Sequence, residues 1–193
     1  MGRFVRYFFV SLVVSSPALS QDGLDTLRAD RVQSLLESIA VTPLSQSLDM
    51  TTVSELSHVF YYSLIFHFQE GVHGYSLFDS AMVRIALEAR RTPLVFQELL
   101  AIQRSSQSAA EFQEGIPCYF QLAAKASPKN FVTAYAAMSS EDRLGLVSKS
   151  GPGDCEANID VPRLLQAFAD STKNNKLKIE ALSAISMFST AGK

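Results

Sequence analysis

The chain has 193 residues, 47% of them apolar and 10% aromatic, with 17 basic and 19 acidic side chains for a formal net charge of −2. That length favours one domain, and the composition excludes an intrinsically disordered, collagen-like or low-complexity chain. The slightly acidic balance argues against a dedicated nucleic-acid binder, whose affinity comes mostly from a basic phosphate-contacting surface.

Residues 1–20 read as a signal peptide. Arg3 and Arg6 form a positive start, Tyr7 to Val14 a mainly apolar stretch, and Pro17 precedes the small-x-small site Ala18-Leu19-Ser20. The apolar stretch is far short of the roughly 20 residues that span a bilayer, so no permanent transmembrane anchor is expected. Cleavage would leave a single helical domain over 21–193. Its 15 basic and 19 acidic groups, net −4, suit a basic partner. Export also places Cys118 and Cys155 in an oxidising compartment, where one intramolecular disulfide is expected between them.

Helical periodicity then runs almost the length of the chain. Leu24, Leu27, Val32, Leu35, Leu36 and Ile39 share one face of a first helix that ends before Thr42-Pro43. Thr52-Val53-Ser54-Glu55 has the capping-box spacing and opens a helix expected to reach Glu70 before the Gly71 stop. Within it, Val59 to Phe68 carries apolar or aromatic residues on nearly every side. Such a helix is either the enclosed member of a bundle or an exposed interaction surface, with Phe60, Tyr61, Tyr62 and Phe66 as the contact residues of the second reading.

The next helix starts at Asp79 or Ser80, and Thr92-Pro93 caps another with Val95, Leu99 and Ile102 inward. Ser108-Ala109-Ala110-Glu111 is a second capping box; Gly115 and Pro117 are expected to interrupt the helix it opens, with a restart around Cys118. Ser127-Pro128 begins the next helix, and Ser140-Glu141-Asp142 places acids at the positive end of a short one. Ser150-Gly151-Pro152-Gly153-Asp154 is the clearest loop; Asp160 caps a helix through Phe168, and a last one spans about Lys176 to Phe188. The expected fold is all-α, an irregular bundle of about 7–9 helices with one disulfide, and a short helical-repeat solenoid as the lesser alternative.

Signatures of known chemistry are missing. The sequence holds no nucleophile elbow, zincin motif, phosphate-binding Walker loop or dinucleotide fingerprint. Asp49, Asp79, Asp154 and Asp160 sit singly at helix starts, where a carboxylate serves as a cap. His58, His67 and His73, with Glu70, form the one cluster of imidazoles, without a recognised metal-ligand spacing. Ser76, His73 and Asp79 hold hydrolase residue types, and Glu111, Glu114, Glu141 and Glu156 could supply paired carboxylates, but turns, caps and solvated faces account for them equally. Arg84, Arg90 and Arg91 near a helix C-terminus, and Lys173, Lys176 and Lys178 near Asn174-Asn175, read as solvated rims or contacts for an acidic partner.

No metal and no cofactor is expected. The leading expectation is a secreted or periplasmic, non-enzymatic protein that binds another protein, in the manner of an inhibitor, an immunity-type neutraliser or a chaperone. The alternatives are a carrier of an apolar ligand using the aromatic stretch 59–68, or a small hydrolase using the His58–His73 region.

Overall fold

In the computed structural model, which describes residues 21–60, 76–105, 110–151, 155 and 159–191, the described residues form nine helices and no strand. In chain order these are α1 (Gln21–Val41), α2 (Met50–Val59), α3 (Leu77–Glu88), α4 (Leu94–Ser105) and α5 (Ala110–Ala126). They are followed by α6 (Pro128–Ala137), α7 (Ser140–Lys149), α8 (Val161–Ser171) and α9 (Asn175–Ala191). Among these residues no helix is long and apolar enough to cross a membrane. The leader expected at 1–20 lies outside the described residues.

Most helix starts carry the cap that their residues imply. Ser127 accepts from the Asn130 N–H ahead of Pro128, and Asp160 accepts from the Arg163 N–H ahead of Val161. Ser139 caps α7, with Glu141 and Asp142 in the first turn where the helix dipole favours them. Thr92 Oγ1 accepts from the Leu94 N–H at the start of α4.

Four starts and stops differ from expectation. The Thr52 capping box does not open α2; Asp49, one of the aspartates expected to serve as caps, does, its carboxylate accepting from the Thr51 N–H and the Thr52 hydroxyl. The carboxylate outcompetes the hydroxyl box because a charged acceptor makes the stronger bond to free N–H groups. That helix does not reach Glu70. Phe60 has φ −61° and ψ 131°, outside the helical region, and its N–H still bonds back to Leu56. Ser76 caps α3, and Asp79 is the third helical residue rather than the first. Finally, α5 runs unbroken through Pro117. Proline removes one ladder bond there, but Ile116, Tyr119, Phe120, Ala123 and Ala124 are all buried, and their packing outweighs it. Ser108 and Ala109 of the expected second capping box lie outside the described residues, as do residues 152–154 of the loop and Asp154 with them.

Each helix packs on the next but one, so α1, α3, α5, α7 and α9 form one row and α2, α4, α6 and α8 a second. In the C-terminal half α4 also meets α7, α5 meets α8 and α6 meets α9, which folds the two rows into a closed bundle. The core at the junction holds Phe96 and Phe131 edge to face at 5.3 Å, with Tyr135 and Phe120 fully buried. Of the first helix's apolar face, Val32, Leu35, Leu36 and Ile39 are buried, whereas Leu27 is exposed to solvent. The side chain of Leu24 is outside the described residues.

Candidate apolar groove

Pro43 ends α1 and sends the chain through residues 42–48 without regular structure, leaving carbonyls with no helical partner. Two arginines of α3 and its C-terminal turn satisfy them. Arg84 donates from Nε to the Thr42 carbonyl at 3.0 Å and from Nη2 to the Gln46 carbonyl at 2.6 Å, with the Pro43 carbonyl at 3.4 Å. Arg91 donates to the Leu44 carbonyl at 2.8 Å. Both guanidinium groups also donate to one carboxylate oxygen, Oε2 of Glu88, at 2.8 and 3.0 Å. Arg84 is buried, and so is no part of the solvated rim expected from its spacing, because the linker carbonyls and Glu88 together replace its water. Arg90 stays exposed.

The linker so fastened forms one wall of an open groove of about 760 Å³, and α3 forms the other. Val41, Leu44, Val83 and Leu87 supply its apolar lining. Val41 is 65% exposed, Leu44 56% and Val83 39%, which makes this a patch of large apolar side chains held in water by a fixed frame.

Asp79 lines the N-terminal end of the same groove. One of its oxygens accepts from the Ser76 hydroxyl and the other from the Tyr119 hydroxyl of α5. Burial, with the Asp79 carboxylate beside it, holds the Tyr119 phenol well above its ordinary pKa. The Tyr119 ring in turn stands edge to face on Phe78, and Phe78 stacks on Phe60 at 5.5 Å.

The two cysteines are joined: Cys118 and Cys155 form a disulfide with their Cα atoms 5.4 Å apart. Gln121, buried one turn further along α5, donates to the Gly151 carbonyl at 2.6 Å and accepts from the Ile159 N–H at 3.0 Å. Both ends of the 151–159 segment are therefore tied to α5 beside the bridge.

Phe60 is 1% exposed and belongs to the core, so it contributes no surface. Tyr61, Tyr62 and Phe66 lie outside the described residues, as do His67, Glu70 and His73. His58 is exposed on α2, its Nδ1 2.6 Å from the Ser54 carbonyl, while its neighbour Ser57 donates to Glu98. Among the described residues no group of three or more His, Cys, Asp or Glu side chains is placed to hold a metal ion. Ser76 and Asp79 do meet, in a cap; Glu141 is exposed in the first turn of α7, and the side chains of Glu111, Glu114 and Glu156 are outside the described residues. Lys173 and Lys176 lie at the turn into α9 and Lys178 in its first turns.

The groove was missed in the sequence, although half of its frame was visible there. Arg84, Glu88 and Arg91 are spaced four and three apart, which sets them on one helix face. The spacing does not contain the linker that they hold. A scan of protein-family models finds no match to this chain, and searches of curated proteins and of solved structures likewise return none.

Proposed function

We propose that this is an exported, non-enzymatic protein that binds another protein through the groove between α3 and the 42–48 linker. The observation that carries the reading is the patch of Val41, Leu44 and Val83, exposed on two facing walls that Arg84 and Arg91 hold together. Large apolar side chains in water are stabilised by being covered, and a frame already rigid loses little entropy when it is. The leader pattern at 1–20 and the disulfide support export to a secreted or periplasmic site. Such binding either blocks the partner, as an inhibitor or immunity-type neutraliser does, or shelters it, as a chaperone does.

The test has two arms. The N-terminus of the exported product is expected at Gln21, and both cysteines should be oxidised. A photoreactive residue substituted at Val83 or Leu44 should give one discrete cross-linked adduct in that compartment, whereas the same residue at exposed Leu144 on α7 should not. A chain retained in the cytosol with free thiols, or adducts equally diffuse at all three positions, would overturn the proposal.

The volume of the groove, about 760 Å³, favours one second reading, a carrier of an apolar small molecule. Native mass spectrometry of the purified protein would then show a stoichiometric lipid-sized adduct, lost in Val83→Asp.

A further inference from the structure

The apolar groove has one acidic side chain, and no cationic side chain among the described residues pairs with it. Asp79 lines its N-terminal end, and the partners of that carboxylate are two uncharged hydroxyls, those of Ser76 and Tyr119. At the opposite end the Arg84 and Arg91 guanidinium groups share the Glu88 carboxylate and give their other donors to carbonyls of the linker, so the charge there is cationic and offers nothing to a cation. A carboxylate has room for about four hydrogen bonds, so acceptor capacity on Asp79 remains. The Ser76 contact belongs to the helix cap, and the capping role alone explains it. The Tyr119 contact comes from another helix and fixes the carboxylate in place without cancelling its charge.

Resting on the reading that the groove is the docking site, we infer that it takes a lysine side chain of the partner protein. The ammonium would sit on Asp79, and the lysine methylenes with their apolar neighbours would lie against Val83 and Leu87. Lysine suits such a place because its stem is apolar and its head is a compact cation with three donors. The excess of acidic over basic side chains in the chain steers a basic partner in the same sense.

Octylammonium is a direct probe, since it joins a lysine-like head to an apolar stem. It should shift the methyl resonances of Val83, Leu87 and Leu44 saturably. 1-Octanol, of the same length without the charge, should bind about tenfold more weakly, the worth of a charge-assisted hydrogen bond. Octanoate should bind more weakly still. In Asp79→Asn the preference of octylammonium over octanol should fall to about one, and if that variant does not fold, the three probes on the unaltered protein decide. Equal binding of octylammonium and octanol would overturn the lysine anchor while leaving the groove standing. No saturable shift with any of the three would remove the groove as a docking site altogether.

Discussion

Arg84 and Glu88 face each other one turn apart on α3, their charged groups 2.8 Å from one another and their side chains only 4% and 2% exposed. A pair this dry is worth little against an apolar pair of equal shape, because both ions have given up their water. Its value lies in what Arg84 does with its other donors, which hold the carbonyls of Thr42, Pro43 and Gln46 and so place the linker beside α3.

Breaking one side of the pair should therefore cost more than removing both. Arg84→Met is expected to lower stability by about 3–5 kcal/mol, since Glu88 keeps only the half-exposed Arg91. Arg84→Met combined with Glu88→Met should lose less than the sum of the single changes, with a coupling of about 1 kcal/mol or more in urea unfolding. Arg84→Lys should not restore the unaltered stability, because an ammonium cannot reach carboxylate and carbonyls in one planar fork.

The cap of α2 distinguishes the two readings of its start. Asp49→Ala should lower the melting temperature by a few degrees, and Thr52→Ala by less, because the Asp49 carboxylate accepts from both Thr51 and Thr52. The Thr51 N–H and then the threonine hydroxyls hold the Asp49 carboxyl below its ordinary 3.8. A lowered carboxyl contributes stability that is complete above the unfolded value and lost as pH falls through the folded one. The gap between the unaltered protein and Asp49→Ala should thus close on acidification below pH 3.8, as measured by thermal melts across pH.

Tyr119 predicts an alkaline counterpart. Its phenol is held above the ordinary value of 10.0 by burial first and by Asp79 second, so the folded chain keeps a proton that the unfolded chain releases. Stability then falls as pH rises past 10.0, because the unfolded state binds fewer protons. Tyr119→Phe cannot titrate. It should be the less stable protein at neutral pH, having lost the bond to Asp79, and should lose that deficit above pH 10.0 in the same thermal melts.

The disulfide closes a sequence separation of 37 residues. On the loop-entropy model, replacing both cysteines by alanine should lower stability by about 4 kcal/mol. Gln121 holds the same segment at both ends without the bridge, so the helices should persist after reduction, with far-ultraviolet circular dichroism unchanged below the new transition.

Val59 and Phe60, the described start of the aromatic stretch, show where hydrophobic periodicity stops short. Their spacing continues the pattern of α2, yet α2 ends at Val59 and Phe60 turns inward onto Phe78. Hydrophobic spacing states that a residue will be covered, not which partner covers it. Pro117 teaches the reverse lesson: a strong local breaker was overruled because burial on both sides of it stabilises the helix as a whole.

Local chemistry determined the helical class, the caps at Ser127 and Asp160, and the pairing of the two cysteines, since each depends on neighbours in the chain or on there being one possible partner. Only tertiary structure decided that Arg84 is buried, that Tyr119 reaches Asp79, and that Val41, Leu44 and Val83 converge on one groove. Those contacts join residues about 40 positions apart, and the packing of α1 and α5 against α3 fixes them, a relation between surfaces that no stretch of sequence carries alone.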